Sequence, residues 1–355
     1  MALSTIPTRA LSEQGINFRN LIINGDMSIA QRSTSETGIT SSSYYTVDRY
    51  RTAIDLSGTW TQSQSTDVPT GQGFANSLKM DCTTANASLS SNSVLFLNQR
   101  FEGQMVQYLK KGTSNAESLT LSFWVKSNKT GTYIAELFDI DNLRQISKSY
   151  TISSANTWEK KTITFAGDTT GALDNDNARS IDINLFLTAG TNYTSGTLGT
   201  SWQSYDDTDR AVGQVNLADS TSNEWYITGV QLEVGTTASD FEFLPYDVNI
   251  HRCERYFRIV TSAFGTVYAS NAVRFSPSFD EMRSTPSVSG TDNILFTNNV
   301  TDFSLFSGAS YSLFNSDKYG GRLQISGWSG LTAGNVAQLL PTGTGAGQVY
   351  FDAEL

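Results

Sequence analysis

The ten residues from Ser118 to Ser127, SLTLSFWVKS, alternate strictly: Leu119, Leu121, Phe123 and Val125 against Thr120, Ser122, Trp124 and Lys126. Successive side chains of an extended chain point to opposite faces. A period of two therefore specifies a half-buried strand and excludes an amphipathic helix. Similar runs recur as TYIAELFDI, TWEKKTITF, SIDINLFLTAG and EWYITGVQLEV, separated by the turn clusters SNKTG, GDTTGALDNDNA and GTNYTSGTLGT. Strands this dense, with no helical pattern between them, predict an all-β jelly-roll β-sandwich. No repeat of about 20–50 residues is present, which excludes a β-helix or a propeller.

The 355 residues leave room for more than one core. Residues 1–16, with Leu3, Ile6 and Leu11 as apolar points, are too few for a core and are expected to form a short N-terminal docking arm. Residues 17–246 read as the jelly roll, and 247–355 as a smaller C-terminal β-sandwich-like domain with strands in AVRFSPSF, SVSGT, NILFT, FSLFSGASYSLF, GGRLQISGW and VYFDAEL. NLIINGDMSIAQR is expected to be a strand interrupted at the turn dipeptide Asn24-Gly25. FEGQMVQYLKKGT fits a short helix or a strand, and VNIHRCERYFRIV holds a helical turn at the junction. In YITGVQLEVG, Ile227, Val230, Leu232 and Val234 form the last core-facing strand. Gly235 then lets the chain turn away, and Phe241, Phe243 and Tyr246 cover the open end of the core.

Only 16% of residues are charged while 11% are aromatic, a profile of polar turns over packed sheets and not of disorder. The net charge of −10 argues against nucleic acid and against an anionic membrane surface as partners. No run of apolar residues is long enough to span a membrane, and MALSTIPTRALSEQG has no apolar signal region, so synthesis in a cytoplasm without general secretion is expected. Cys82 and Cys253 are too few for a disulfide framework and read as buried thiols.

NLIINGDMSIAQR, then YYTVDRYRT, LTLSFWVKS and WYITGVQLEVGTTASDFEFLPYDVNIHRCERYF, resemble in that order structural proteins of tailed bacteriophages: tail-fibre and receptor-binding subunits built on a carbohydrate-binding-module-like jelly roll. MALSTIPTRAL is similar to the leader by which fibre and appendage proteins of marine phages attach to the virion, and the C-terminal third is similar to the β-domain that follows their jelly roll. Gln231-Leu232-Glu233 is the best marker. The resemblance implies a non-enzymatic virion protein, assembled in the host cytoplasm as a homotrimer. It would bind other tail or virion proteins through the arm and recognise a host-surface polysaccharide. A surplus of C-terminal phenylalanines (Phe296, Phe303, Phe306, Phe314) supports the trimer, since about a hundred residues hide few of them. Two alternatives stand: a capsid decoration or baseplate/tail adaptor protein with no host ligand, and a glycan hydrolase.

His251 is the only histidine. Ser-His-Asp or Cys-His chemistry would have to use it, but beside Cys253 at i, i+2 it has no base–orienter arrangement, and a structural role is preferred. Acid pairs for glycoside hydrolysis arise by chance among 34 carboxylates. DNDN (Asp174 to Asn177) and DDTD (Asp206 to Asp209) could offer oxygens to Ca²⁺. They lack EF-hand spacing, so solvated turns are preferred and no cofactor is expected. Sugar recognition needs a flat ring face with polar groups beside it. Trp202 and Tyr205 with Asp206 and Asp207, in GTSWQSYDDTD, are the chosen candidates. Trp60, Tyr311, Tyr319 and Trp328 come next, while Trp124 and Trp158 are assigned to core caps or subunit contacts.

Overall fold

A computed structural model of the chain describes residues 18–298, 301–305, 307–340 and 347–355. The arm residues Leu3, Ile6 and Leu11 lie outside the described residues, as does Phe306. The chain is all-β. Its larger part is a β-sandwich of two antiparallel sheets. The six-stranded sheet runs, in spatial order, Ser35–Ile39, Thr59–Ser65, Ser77–Thr84, Glu224–Val234, Leu119–Ser127, Glu159–Phe165. The seven-stranded sheet runs Gln203–Ser204, Arg144–Ile152, Gly131–Asp139, Arg179–Ala189, Val94–Glu102, Arg51–Asp55, Ser43–Tyr44. The chain passes repeatedly between the sheets, the jelly-roll habit. Leu119, Leu121, Phe123 and Val125 all enter the core between them, as their alternation requires.

The last strand of the six-stranded sheet has an odd phase: Trp225 and Ile227 point inward, and so do Val230 and Leu232. A bulge between Thr228 and Gln231 absorbs the extra residue. Gly229 sits there at φ 63°, and a Cβ on it would lie 2.5 Å from the Phe74 ring. Phe74, Phe241 and Phe243 cluster at this point, whereas Tyr246 is exposed and covers nothing. Beyond the bulge, Gln231 accepts from the Glu242 amide (2.8 Å), and Glu233 accepts from the Ser239 amide (2.8 Å) and hydroxyl (2.6 Å). The Gln-Leu-Glu motif thus staples the outgoing chain back onto its own strand.

NLIINGDMSIAQR is not a strand. It is a buried, irregular segment whose backbone bonds go to side chains in place of a ladder. Asn20 bridges the Ile22 and Leu232 amides (each 3.0 Å) and the Val230 carbonyl (3.1 Å). Gln99 binds both backbone groups of Ile23 (2.7 and 3.0 Å). Asn24, at φ 60°, donates to Ile29 and Asp48 carbonyls. FEGQMVQYLKKGT leaves its strand at Glu102 for a helical turn, Gly103–Val106, and a 3-10 turn, Gln107–Leu109.

The second core lies among residues of Ala263–Ala353. A three-stranded sheet (Phe257–Val260, Val349–Asp352, Ser287–Gly290) packs with a seven-stranded one (Asp302–Leu305, Ile294–Thr297, Val336–Leu339, Ala263–Ala269, Ala272–Phe275, Gly320–Ser326, Ser310–Asp317). Phe296 is fully buried in this core and stacks on the half-buried Phe303 at 4.9 Å, so the domain hides the Phe296 ring itself; Phe314 remains exposed.

Between the two cores runs the helix Tyr246–Glu254, about two and a half turns where the sequence predicts a single one. Cys253 and Tyr256 pack on Ile23 and Ile29, and Glu102 takes Arg255 (2.8 and 2.6 Å) and the Tyr256 hydroxyl (2.5 Å). Glu354 accepts from the buried Arg49, and Arg32 Nη2 reaches Asp352 (3.1 Å) and Glu354 (3.5 Å). Arg283 donates to Asn177, Ala353 and Glu354 carbonyls. Both cysteines are free and buried. Among the described residues no helix is long and apolar enough to cross a membrane.

Candidate functional site

The short edge strand Gln203–Ser204 holds the predicted sugar loop against Arg144–Ile152, and its alternation separates the two rings. Trp202 turns inward. It is half-buried against the inter-sheet core, its Nε1 donates to the Ala166 carbonyl (2.7 Å), and Lys111 lies 5.3 Å from its ring centre. Tyr205 turns outward, 39% exposed, edge-on to Phe138 at 5.3 Å, with its hydroxyl donating to Asp207. Burial, and then the Asp207 bond, push the Tyr205 pKa up to about 12. Asp206 caps the 3-10 turn Asp207–Asp209, accepting from the Thr208 amide (2.9 Å) and hydroxyl (2.8 Å). Asp209 accepts from the Thr197 amide (2.8 Å) and Gln203 (2.9 Å). These carboxylates shape the loop. Among the described residues no group of three or more His, Cys, Asp or Glu is placed to hold a metal ion.

Tyr205 and Asp207 form the rim of a larger feature that loop-centred sequence reasoning missed: the outer face of the seven-stranded sheet. Strand register sets its side chains in rows. Ala53, Phe96 and Phe186 make one; Arg51, Asn98, Asn184, Glu136 and Ser147 the next; Arg100, Asp182, Phe138 and Gln145 the third. Glu136 accepts two bonds from Arg210 (2.8 and 2.7 Å) and one from Asn184 (2.7 Å). The Arg210 guanidinium also lies 5.5 Å from the Phe138, Phe186 and Tyr205 ring centres. Burial alone would lower the Arg210 pKa, and the Glu136 carboxylate more than reverses it. Asp182 takes both donors of Arg179, the Nε at 2.8 Å, and Asn98 at 3.4 Å.

The opposite wall of this face comes from the C-terminal domain. Arg100 Nη1 and the Tyr44 hydroxyl (3.3 Å) donate to the Leu355 carbonyl, and Arg49 donates to the Arg100 carbonyl (2.7 Å). The face is therefore a polar, ring-bearing strip between the Tyr205 loop and the end of the second domain.

The remaining candidates fall elsewhere. Trp60 is fully buried, its Nε1 on the Ser57 carbonyl (2.7 Å), so it belongs to the core and not to an exposed strand surface. Trp328 is buried edge-on against Phe296. Tyr311 is half-buried and bonded to the Thr291 carbonyl (2.6 Å), and the exposed Tyr319 bonds Glu281 (3.0 Å). Trp124 and Trp158 are half-buried on the outer face of the six-stranded sheet, outside the inter-sheet core. There Trp158 donates to Asp67 (3.0 Å), Lys126 pairs with Asp67, and Lys79 pairs with Glu224 (2.8 Å). His251 is exposed on the connecting helix, 3.2 Å from Glu254, beside a cleft of about 140 Å³. Cys253 is buried, with burial pushing its thiol pKa well up, so the two form no nucleophile–base pair.

No protein-family model matches the sequence, and no curated protein matches it. Solved structures similar to it include the enzymatically active domain of bacteriophage CBA120 tailspike protein 4, at 13% identity over 61% of this chain and 22% of that chain, TM-score 0.32. A second is TmCBM61 in complex with β-1,4-galactotriose, at 11% identity over 61% of this chain and 99% of that chain, TM-score 0.32. A third is a cyclase from Fischerella sp. TAU in complex with 4-(1H-indol-3-yl)butan-2-one, at 12% identity over 62% and 99%, TM-score 0.36. Likeness at these scores decides neither fold nor function, and the sandwich rests on its own strand pairing.

Proposed function

We propose that this chain is a non-enzymatic bacteriophage virion protein, a tail-fibre or receptor-binding subunit, that binds a host-surface glycan on the outer face of its seven-stranded sheet. The order of phage-like segments in the sequence supports the virion role. The observation that carries the binding role is the strip itself: Phe96 and Tyr205 offer ring surface beside the half-exposed Arg51, Arg100 and Asp207 and the exposed Asp206, the combination that pyranose C–H faces and hydroxyls require. In this reading residues 1–16 dock on other virion proteins. Association as a homotrimer uses the exposed C-terminal rings Phe264 (71% exposed), Tyr268 and Phe314.

Calorimetric titration of the full chain with purified host-surface polysaccharide tests the proposal. Tyr205→Ala and Phe96→Ala should each weaken binding about tenfold or more, in line with the loss of one stacking contact. Tyr205→Ala should leave the melting temperature nearly unchanged because its ring is partly exposed. Parental affinity in both variants would remove this face from consideration.

A further inference from the structure

We propose that this face takes an acidic saccharide, one bearing a carboxylate or a sulfate, with Arg51 and Arg100 meeting the anion and Asn98 and Asn184 accepting from its hydroxyls. The proposal rests on the reading of the face as the glycan site. The chain as a whole carries a net charge of −10, yet here Arg51, Arg100 and Arg179 surround a single carboxylate, Asp182. Arg179 already occupies both Asp182 oxygens. Arg100 Nε stands 4.0 Å from Asp182 Oδ2, buried and without a hydrogen bond, while its Nη1 is spent on the Leu355 carbonyl. Arg51 lies directly across from Asn98 and diagonal to Arg100, and its guanidinium makes no hydrogen bond or ion pair among the described residues. Burial lowers its pKa and the neighbouring Arg100 charge adds to that lowering, and an anion at this place would offset both. On the other sheet's outer face, by contrast, Lys79 and Lys126 each have a carboxylate partner.

A second, independent observation points to hydroxyl donors. Asn98 and Asn184 are cross-strand partners, and the Oδ1 atom of each is buried with no donor. Buried acceptors without a donor are costly and rare, so two side by side call for a ligand or an ordered water. A free sulfate or phosphate ion satisfies the arginines but donates nothing to the amides. A neutral sugar supplies donors and leaves Arg51 unmatched. An acidic sugar does both.

The test is titration of the full chain with four probes: oligomers of a polyuronate, a sulfated galactan and a neutral galactan, and inorganic sulfate alone. Either charged oligomer should bind about tenfold or more tightly than the neutral one and weaken as salt rises. The preference between the two charged oligomers identifies the anion. Arg51→Ala should remove that advantage, bringing the charged oligomers close to the affinity of the neutral one. The variant's melting temperature should hold or rise, because Arg51 has no partner to lose. Equal affinity for charged and neutral oligomers, or parental binding by Arg51→Ala, would overturn the acidic class while the Tyr205 and Phe96 results still stood. Inorganic sulfate binding as tightly as the charged oligomers would overturn the saccharide in favour of a simple anion. Loss of charge preference in Arg51→Ala alongside weakened binding in Tyr205→Ala would support both readings.

Discussion

Replacing Glu354 with glutamine isolates the charge that ties the second domain to the first. Arg49 is 1% exposed and Glu354 5% exposed, and their ion pair crosses the seam. Burial on its own would depress the Arg49 pKa, while the Glu354 carboxylate raises it, so this partner offsets the cost of burying the cation. Glutamine keeps the shape and a hydrogen-bonding oxygen but removes the charge. Arg49 then faces only neutral partners: that oxygen, the Arg100 carbonyl and the Tyr256 ring, 3.4 Å from its Cζ. Removing one partner of a buried pair costs about 3–5 kcal/mol, because the other charge stays buried and uncompensated. For a domain of about a hundred residues each kcal/mol is worth about 4–8 °C, so the C-terminal transition should fall by more than about 10 °C. Scanning calorimetry should show that transition separating from the sandwich's. The double variant Arg49→Met with Glu354→Met should recover most of the loss, since an apolar pair of similar volume has no buried charge to desolvate. A Glu354→Gln protein melting within about 4 °C of the parent, or a double variant no better than the single, would refute the assignment of the seam to this charge.

Trp202→Ala should cost about 2–3 kcal/mol in urea unfolding, below the range for a fully buried tryptophan because the ring is half-buried. A loss under about 1 kcal/mol together with abolished glycan binding would instead make Trp202 a ligand platform. Burial raises the Asp48 pKa to about 6 from an ordinary 3.8 despite the Gln31 bonds. The folded state therefore keeps a proton that the unfolded chain has lost, and this contribution to stability is full below about pH 4 and gone as pH rises through about 6. Asp48→Asn should flatten that part of the stability–pH curve, and an unchanged slope would show that Asp48 is ionised in the fold.

Most of the sandwich was legible because alternation is a local signal. Leu119 to Val125 fixes its own inward face whatever its neighbours do. NLIINGDMSIAQR was misread because its apolar residues are buried without a ladder. Their backbone partners, Gln99 and the strand at Val230, are far off in sequence. Trp60 was misplaced for a related reason: it is the one apolar residue of TWTQSQS, so no hydrophobic alternation marks the inward face and the phase is set by pairing with Ser77–Thr84. The site followed the same logic. Asn98 and Arg100 in VLFLNQRFE, Glu136 in YIAELFD, and Asp182 and Asn184 in SIDINLFL occupy the outward phase of three strands. The sequence shows each as an unremarkable polar alternate, and only register brings them into rows.

Those rows carry more polarity than a sheet needs for stability. Glu136 and Asp182 are buried almost completely, and each is paired with its own arginine, Arg210 and Arg179. Apolar residues of similar volume would stabilise such positions at least as well. Natural chains retain this arrangement where fixed, oriented donors and acceptors serve recognition, because a preorganised polar surface gives up little freedom on binding. The seam has a place in the same logic. Glu354 holds Arg49, Arg49 holds the Arg100 carbonyl, and Arg100 lines the face, so the second domain acts as a wall that keeps Arg100 in place. On that argument Glu354→Gln should weaken charged-oligomer binding at temperatures where both domains remain folded, and the loss should be confined to the charge-dependent part of the affinity.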